Sequence, residues 1–169
     1  DYDCPMQWID TPLEGAHEEF VGESFGRVNR QEAKLCVQTL RDYYMKIGRA
    51  RALDEQIDVG VISPYRAQVQ YLRQLVRSDE WLRPLRRLIT INTVDGFQGQ
   101  ERDIIIISLV RANDDGQIGF LADLRRMNVA ITRARMKLII IGNADTLARH
   151  KFYKELHQYV MGLAEQPEI

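Results

Sequence analysis

Four stretches of the chain are continuous runs of aliphatic residues with little polar alternation. They read IDVGVIS, LITIN, DIIIIS and KLIIIG, and a shorter strand candidate, MQWID, lies near the start of the chain. Continuous apolar strands are typical of a parallel sheet covered by helices on both faces, because neither face then needs polar residues. The pattern therefore predicts about five buried parallel strands.

Helical periodicity separates these strands. Asn29 is a predicted N-cap, and Glu32 stands at the third helical position, where it would complete a capping box. From there an amphipathic run continues to Ile47 and stops at Gly48. The next helical segment, RAQVQYLRQLVRS, places four apolar side chains on one face: Val69, Leu72, Leu75 and Val76.

Two further helices are predicted later in the chain, from the segment LADLRRMNVAITRA and from the run between Ala144 and about Leu163. The early polar stretch TPLEGAHEEFVGESFGR is rich in Gly and Glu and predicts a loop. Strands that alternate with helices indicate a doubly wound α/β fold with a parallel sheet. With 169 residues and 45% hydrophobic side chains, residues 1–169 are predicted to form a single domain around one core.

Composition and charge narrow the function classes. The net charge of -1 argues against a wholly basic nucleic-acid coat, but 18 of the 23 basic residues are arginines, which grip phosphate in a planar fork. Cys4 and Cys36 lie far apart with no CxxC pair, which indicates a reducing compartment without a zinc or disulfide framework. No apolar run approaches the roughly 20 residues that cross a bilayer, and no signal-peptide pattern is present. A cytoplasmic or nuclear location is predicted from these two absences. Because the sequence begins at Asp1 without methionine and reaches an apolar strand almost at once, it is also predicted to be an excised fragment of a longer chain.

Polar residues follow the predicted strands at their carboxyl ends, where open α/β sheets bind ligands. Hydroxyls, amides, guanidiniums and exposed backbone at such an edge are the groups that hold phosphate, so this edge is predicted to bind phosphorylated ligands. In chain order these residues are Ser63, Pro64, Tyr65, Arg66 and Gln68, then Thr93 with the segment GFQGQE, then Arg111 and Asn113, and finally Asn143.

Two motifs of nucleotide hydrolysis are missing from the sequence. There is no GxxxxGK[ST] segment and no Gly-Lys pair, so the triphosphate-binding loop of a P-loop enzyme is absent. No aliphatic strand ends in the carboxylate pair that would hold Mg²⁺ and a water. The chain is predicted to contact a nucleotide without hydrolysing it alone.

The segments TVDGFQGQERDIIIISLVRAN and GFLADLRRMNVAITRARMKLIIIGN resemble the paired late motifs of superfamily 1 helicases. The branch that they resemble moves 5' to 3' and includes the nonsense-mediated-decay RNA helicase. The segments WIDT, NRQEA and VGVISPYRAQVQYL are similar to the start and middle of that family's second RecA-like domain, and the resemblance covers residues 5 to 147. It implies a RecA-like fold without its own P-loop, because the family places the P-loop and the Mg²⁺ ligands on a domain upstream.

The resemblance implies an ATP site. Arg133 corresponds to an arginine finger that reaches the γ-phosphate across the cleft between two domains, and Gln98 orients that arginine or its own loop. Glu101 corresponds to an acceptor for the nucleotide ribose. The spacing of seven places Arg126 and Arg133 on nearly the same face of the predicted helix. Three further residues complete the predicted ATP site: Gly99, Arg126 and Arg135.

The resemblance also implies contacts with single-stranded DNA or RNA. Thr93 donates to a phosphate of the strand, and the start of the helix after IDVGVIS contacts the backbone of the same strand, as helix N-termini bind anions. The predicted nucleic-acid contacts are Thr93, Ser63, Pro64, Tyr65, Gln68, Arg111 and Asn113.

Structural alternatives stay open for these residues. Thr93 also fits a strand-end cap, and Ser63 fits a helix N-cap with Pro64 at the first helical position. The motif arginines also fit a salt-bridged face with Asp123 and Glu101, since surface pairs of this kind are common and weak. A structural role fits equally well for Arg111 and Asn113.

Three other groups are predicted to be structural or solvated. The three histidines, His17, His150 and His157, form no site. The arginines of LRPLRRL fit a solvated loop better than a nucleic-acid guide. Four acidic residues are spaced too flexibly for a metal site and are predicted to face solvent: Glu14, Glu18, Glu19 and Glu23.

The sequence thus predicts the second motor domain of an ATP-dependent helicase, inactive as an ATPase alone. Its predicted ligands and partners are ATP with Mg²⁺, single-stranded DNA or RNA, and an upstream P-loop domain, without a membrane. The alternative is a non-catalytic nucleic-acid-binding or regulatory module that keeps the motifs without a P-loop partner. A Rossmann-type enzyme is disfavoured because no GxGxxG turn is present.

Overall fold

One parallel sheet forms the centre of the fold. The computed structural model describes residues 4–21 and 26–165. Seven strands lie in these ranges: Met6–Asp10 (β1), Glu19–Val21 (β2), Gly26–Val28 (β3), Val59–Ile62 (β4), Ile89–Asn92 (β5), Arg102–Ser108 (β6) and Ala134–Gly142 (β7). Five of them pair in the order β1, β7, β6, β4, β5, and every neighbouring pair is parallel. The predicted α/β fold with about five parallel strands is confirmed.

Helices cover the two faces of this sheet. The α-helices of the described ranges are Arg30–Ile47 (α1), Arg49–Asp54 (α2), Arg66–Ser78 (α3), Leu124–Ile131 (α4), Ala144–Leu147 (α5) and Lys151–Ala164 (α6). Three short 3-10 helices span Arg83–Leu88, Asp95–Phe97 and Gly119–Ala122. None of the helices in these ranges combines the length and the apolar character that crossing a membrane requires.

Aliphatic side chains fill both faces of the sheet, as the unbroken apolar strands predict. α1 and α3 pack against alternate strand residues such as Val61 and Ile106 on one face. Ile105 belongs to the opposite face, where Phe97, α4 and α6 complete the core. Gly60 is a point of close approach, because a Cβ there would lie 2.8 Å from the Phe97 ring and 2.7 Å from Ile105. The absence of a side chain at Gly60 lets Phe97 rest directly on the strand.

The polar stretch before α1 is more ordered than predicted. β2 and β3 pair as an antiparallel hairpin, and the guanidinium carbon of Arg27 lies 3.3 Å from the ring centroid of Phe20. The loop prediction is wrong for these residues because cross-strand pairing stabilises extended backbone that a Gly-rich and Glu-rich composition does not favour locally. Glu23 lies outside the described residues.

α1 begins at its predicted N-cap but not with the predicted capping box. The Asn29 side chain accepts a hydrogen bond from the backbone N–H of Glu32 at 3.0 Å, and the helix ends at Gly48 with φ of +89°. The reciprocal bond is missing, because the Asn29 N–H donates instead to Oε1 of Gln68 at 3.0 Å. The carboxylate of Glu32 points into the core, where it is fully buried.

The later helices are shorter than predicted. α4 ends at Ile131, because Ala134 already pairs with Arg102 in the sheet. The predicted terminal helix is broken into α5 and α6 by a short turn. As a consequence, Arg133 lies in the turn between α4 and β7, and Arg135 belongs to β7.

Candidate functional site

The segment between β5 and β6 crosses the sheet from one edge to the other. Val59 of β4 is aligned with Ile89 of β5 and with Ile104 of β6, so these parallel strands begin at the same edge. Thr93 therefore leaves β5 at the carboxyl edge, whereas Glu101 enters β6 at the amino edge. A strand of seven residues such as β6 spans roughly 20 Å, so the two ends of the segment face different parts of the surface.

The prediction that this whole segment lines the carboxyl edge is wrong for its second half. Phe97 is fully buried over Gly60 and anchors the middle of the segment. Gln98, Gly99 and Glu101 follow it toward the amino edge and are exposed. Gly99 has φ of +74°, in the left-handed region that glycine adopts readily, and lets the backbone turn sharply there.

Arg133 lies at the amino edge beside Glu101. The backbone N–H of Arg102 donates to the carbonyl of Arg133 at 3.0 Å, which joins the two motifs at this edge. The guanidinium of Arg133 is half-buried and donates from Nε to the Val129 carbonyl and from Nη2 to the Thr132 hydroxyl, both at 3.1 Å. Both acceptors are uncharged, so these bonds orient the side chain without neutralising its positive charge.

The other two motif arginines, Arg126 and Arg135, lie in different surroundings from Arg133. Arg126 pairs with Asp95 at 3.5 Å and with Asp123 at 3.6 Å near the start of α4, so the salt-bridged alternative describes it better. The prediction that Arg126 and Arg133 share a helical face is wrong, because α4 ends before Arg133.

Arg135 points at two carboxylates of the amino edge. Its Nη2 lies 3.1 Å from Oδ1 of Asp58, and its Nε lies 3.1 Å from Oδ1 of Asp103. The hydrogen bond that Arg135 donates to Asp103 raises the pKa of the Arg135 guanidinium above its ordinary value. Both carboxylates also accept a backbone N–H from each other's residue, so Arg135 closes a small network that ties β4, β6 and β7 together.

A groove of about 470 Å³ opens at the carboxyl edge beside Thr93. Pro64 and Thr93, both half-buried, are the members of the predicted nucleic-acid set whose side chains remain available there. Arg66, which was predicted at this edge but not among the nucleic-acid contacts, is exposed in the same groove, and so is Phe120, which was not predicted. Asp95 and Arg126, which pair with each other at 3.5 Å, also line the groove. The groove thus combines a hydroxyl, the exposed guanidinium of Arg66, an aromatic ring and one ion pair, and the first three can contact a phosphate and a base.

Ser63 and Gln68 are fully buried, so their side chains do not face the groove, and contact of these residues with nucleic acid stays a prediction. The Ser63 hydroxyl accepts from the backbone N–H of Tyr65 at 3.4 Å, and the cap position of α3 is Tyr65 rather than Ser63. The Gln68 amide donates to the Asn29 carbonyl at 3.0 Å and to the Ser108 hydroxyl at 3.1 Å. These two polar side chains tie α3 to neighbouring elements instead of facing a ligand.

Arg111 is also buried, in an ion pair with Glu18 that occupies its Nε and Nη2. Its Nη1 lies 3.3 Å from the Tyr65 hydroxyl, and Asn113 donates from Nδ2 to the same Glu18 carboxylate at 2.9 Å. The structural alternative therefore describes Arg111 and Asn113, and the prediction that Glu18 faces solvent is wrong. Gly119 has φ of +51° and packs so closely on Arg111 that a Cβ would clash with its Nη1.

The hydrogen bonds and opposite charge around Arg111 favour its charged form and so offset the effect of burial on its pKa. Burial lowers the pKa of Arg111, but its bonds to Glu18 and Tyr65 outweigh that effect and raise the pKa above its ordinary value. Burial raises the pKa of the Tyr65 hydroxyl, which Arg111 partly counteracts. The arginine stays charged and the phenol stays neutral, so the network is a permanent support for the floor of the groove.

A buried carboxylate, Glu32, supports the chain where it leaves β6, and the sequence reading did not identify this role. One oxygen, Oε1, accepts from the Ser108 hydroxyl at 2.8 Å and from the Val110 N–H at 2.7 Å. Burial raises the pKa of Glu32 to about 7 despite these two hydrogen bonds. The sequence did contain a signal for the burial of Glu32. It precedes Cys36 and Leu40 by four and eight residues and so lies on the apolar face of α1.

Val110 is held in an unusual backbone conformation by these contacts. Its φ of +70° is rarely adopted by a β-branched residue and marks local strain. Glu32 binds its N–H, and the Asn29 side chain donates to its carbonyl at 3.1 Å. The strained residue turns the chain so that the next side chain, Arg111, enters the core.

The three histidines lie in separate surroundings. His17 is exposed, Nε2 of His150 lies 2.7 Å from the Gly116 carbonyl, and the ring of His157 stands edge-on to Trp8 with centroids 5.0 Å apart. Within residues 4–21 and 26–165, no group of three or more His, Cys, Asp or Glu side chains could hold a metal ion.

Comparison with known proteins places this fold among helicases. A family model described as "AAA domain" matches residues 1–145. The DNA polymerase alpha-associated DNA helicase A of Saccharomyces cerevisiae is 35% identical over 166 residues, which cover 94% of this chain and 22% of that protein. The regulator of nonsense transcripts 1 homolog of Drosophila melanogaster is 42% identical over 153 residues, which cover 90% of this chain and 12% of that protein.

A third relative is also named as a helicase. The ATP-dependent helicase upf1 of Schizosaccharomyces pombe is 35% identical over 156 residues, which cover 89% of this chain and 16% of that protein. The chain therefore spans less than a quarter of the length of each of these curated relatives.

Proposed function

This chain belongs to the AAA domain family and is a superfamily 1 helicase domain that resembles the nonsense-mediated-decay helicase, and from that premise we propose that it acts as the second RecA-like motor domain of such an enzyme. In this role it completes an ATP site in the cleft with an upstream P-loop domain. It also contacts single-stranded DNA or RNA during translocation and unwinding.

The observation that carries the proposal is the pair of segments that cross the sheet. One runs from Thr93 at the carboxyl edge to Glu101 at the amino edge, and the other returns through α4 to Arg133 beside Glu101. The residues proposed to contact ATP and those proposed to contact nucleic acid thus stand at opposite ends of the same short segments. A shift at one end is transmitted to the other because Phe97 and α4 are anchored on the sheet.

At the amino edge, Arg133 is the proposed arginine finger. Its charge is oriented by neutral acceptors and so remains available for the charge that develops on the γ-phosphate during transfer. Glu101 is exposed beside it and can accept a hydrogen bond from the ribose, while Gln98 and Gly99 shape the loop between Phe97 and Glu101. The described residues include no metal cluster, and the proposal assigns the Mg²⁺ ligands to the partner domain.

At the carboxyl edge, the groove beside Thr93 is the proposed single-strand site. Thr93 and Arg66 supply a hydroxyl and a positive charge for a phosphate, and Phe120 supplies an aromatic face for a base. Contacts to phosphate carry no sequence information, so binding is expected to be independent of sequence and sensitive to salt.

The test of this function is ATP hydrolysis with and without single-stranded DNA or RNA. The full-length protein that contains a P-loop domain is compared with the 169-residue chain alone. Stimulated turnover in the full-length protein and none in the chain alone is the expected result. Absence of turnover in both, with nucleic-acid binding retained, would instead support a non-catalytic binding module that keeps helicase motifs.

Replacing Thr93 with alanine is expected to weaken single-strand affinity by roughly 10- to 100-fold, the range for a hydrogen bond to a charged group. ATP affinity should stay within about twofold, because Thr93 and the proposed ATP site lie at opposite edges. Fluorescence anisotropy with labelled oligonucleotides and with a labelled nucleotide measures both. Thr39→Ala is the matched control, since its hydroxyl bonds within α1 to the Leu35 carbonyl. A larger loss of ATP affinity than of single-strand affinity would move Thr93 to the nucleotide site.

A further inference from the structure

The open edge of the sheet is bordered by arginines. β5 is the last strand in the sheet order, so its outer side has no neighbouring strand among the described residues. The Asn92 carbonyl accepts from the Ser63 N–H and therefore points toward β4. Because carbonyls alternate along a strand, the carbonyl of Ile91 points the other way, out of the sheet.

Arg73 of α3 lies against this edge. Its Nε and Nη2 donate to the Ile91 carbonyl at 2.9 and 2.7 Å, which fixes the guanidinium two residues before Thr93. Arg77 stands one helical turn later on the same face of α3 and is exposed. The helix therefore carries two guanidiniums along the edge of β5.

The 3-10 helix before β5 extends the same border. Its leucines, Leu85 and Leu88, are buried, whereas Arg87 is exposed, and Arg86 donates from Nη2 to the Arg77 carbonyl. That hydrogen bond joins the 3-10 helix to α3. The four arginines that border the edge, called here the β5 arginine edge, are Arg73, Arg77, Arg86 and Arg87.

Among the described residues, none of these four arginines pairs with a carboxylate, although Asp79 and Glu80 follow α3 and pair with Arg41 and Arg83. In the described part of the chain, Arg83 is the one arginine of the 3-10 helix with a carboxylate partner, Glu80 at 3.9 Å, and both side chains are more than 70% exposed. An exposed pair of this kind is weak. Arg102 approaches β5 from the other face, where its Nη2 lies 3.3 Å from the Thr90 hydroxyl, and adds a further positive charge.

We infer that the β5 arginine edge binds the phosphates of the nucleic-acid strand beyond the groove at Thr93. The inference rests on the proposed function, because it extends the single-strand path that the groove begins. Arg73 sits next to the end of β5 that leads into Thr93, and Arg87 sits beside the other end. The edge of a four-residue strand spans roughly 13 Å, so the border lengthens the phosphate-binding path by about two nucleotides.

The choice of arginine at this edge favours phosphate binding over simple protection of an edge strand. Charged side chains do protect exposed edges from pairing with another chain, and lysine is the residue most often used for it. Here the outward carbonyl of Ile91 is already covered by Arg73. Arg77 and Arg87 remain exposed beyond it, and a guanidinium fork matches the geometry of a phosphate.

The test compares oligonucleotides of about 6 and about 16 nucleotides, in DNA and in RNA form, which are a short and a long length within the range of single-strand site sizes. The variant is Arg77→Gln together with Arg87→Gln in the full-length protein, and both side chains are exposed, so folding should be unaffected. For the long oligonucleotide, the slope of log affinity against log salt is expected to shrink by roughly 1.4, since each lost phosphate contact removes about 0.7. Affinity for the short oligonucleotide should not change.

The matched control removes two charges at the other side of the sheet. Lys151→Gln with Lys154→Gln changes two exposed residues of α6, which packs beside β1 at the opposite end of the strand order. This control is expected to leave both salt slopes unchanged. An equal loss of slope in both double variants would show a general charge effect and overturn the inference.

Two other outcomes separate this inference from the proposed function. If the short oligonucleotide binds and depends on Thr93, but the long one is unaffected by the arginine variant, the inference fails and the proposed function stands. The inference also fails if the arginine variant self-associates in sedimentation while its salt slope is unchanged, because the arginines then only protect the edge. If neither oligonucleotide binds the unaltered protein, the proposed function itself fails.

Discussion

Replacing Arg133 with alanine is expected to lower ATP turnover of the full-length protein by at least about a hundredfold while single-strand affinity stays unchanged. An arginine finger contributes roughly 10³ to 10⁵ in rate, or on the order of 4 to 7 kcal/mol of transition-state stabilisation. The structure supports so large an effect because Arg133 is oriented by Val129 and Thr132 without an ion pair from either. Steady-state ATP hydrolysis at saturating nucleic acid measures turnover, and anisotropy measures affinity.

The control for this prediction is Arg125→Ala, which removes an exposed guanidinium from the same helix-turn region. Arg125 points to solvent from α4, so its loss should change turnover by less than about threefold. Arg133→Lys adds a second comparison, because lysine keeps the charge but loses the planar fork. Normal turnover in Arg133→Ala would refute the arginine-finger role, whereas equal losses at Arg125 and Arg133 would indicate damage to α4.

The pH dependence of stability is expected to carry a strong signature of Glu32. In the unfolded chain its carboxyl ionises near the ordinary pKa of 4.5, but in the folded chain burial raises the pKa to about 7. Between these two values the folded state binds more protons than the unfolded state, so the free energy of unfolding falls as pH rises. The Glu32 contribution amounts to about 3 kcal/mol across this window and is constant above it.

Urea unfolding of the wild type and of Glu32→Gln at pH 5 and pH 8 isolates this contribution. The glutamine does not titrate, so the wild type should lose about 2.5 kcal/mol more than the variant between the two pH values. Glu55→Gln is the control, because Glu55 is an exposed partner of Arg51 on α2. If the wild type and Glu32→Gln changed in parallel with pH, the raised pKa of Glu32 would be contradicted.

The functional consequence of Glu32 follows from the residue that it holds. Its carboxylate accepts the N–H of Val110, whose φ of +70° turns Arg111 toward Glu18. That ion pair, with the Tyr65 hydroxyl, forms the floor beside the proposed single-strand groove. A polar residue at the base of α1 therefore supports a surface that it does not touch.

Much of the fold could be predicted because it depends on local patterns. Unbroken aliphatic runs identify strands that are buried on both faces. The start of α1 at Asn29 and its end at Gly48 are each specified by a single residue. The late motifs identified the family, which the comparisons confirm. The hairpin of β2 and β3 and the early end of α4 were not predicted, because each depends on pairing with a strand that local composition does not specify.

The destinations of polar side chains required the tertiary structure. Arg111 meets Glu18 across 93 positions of the chain, and Glu32 meets Val110 across 78. From the sequence, a polar residue just after a strand fits a ligand contact and a buried structural role equally well, and Ser63 after β4 is buried. The sequence by itself determined the order of strands and helices, the family and the candidate residues. Only the tertiary structure decided that Thr93 and Arg133 face opposite edges, because the alignment of parallel strands is set by hydrogen bonds between segments far apart in the chain.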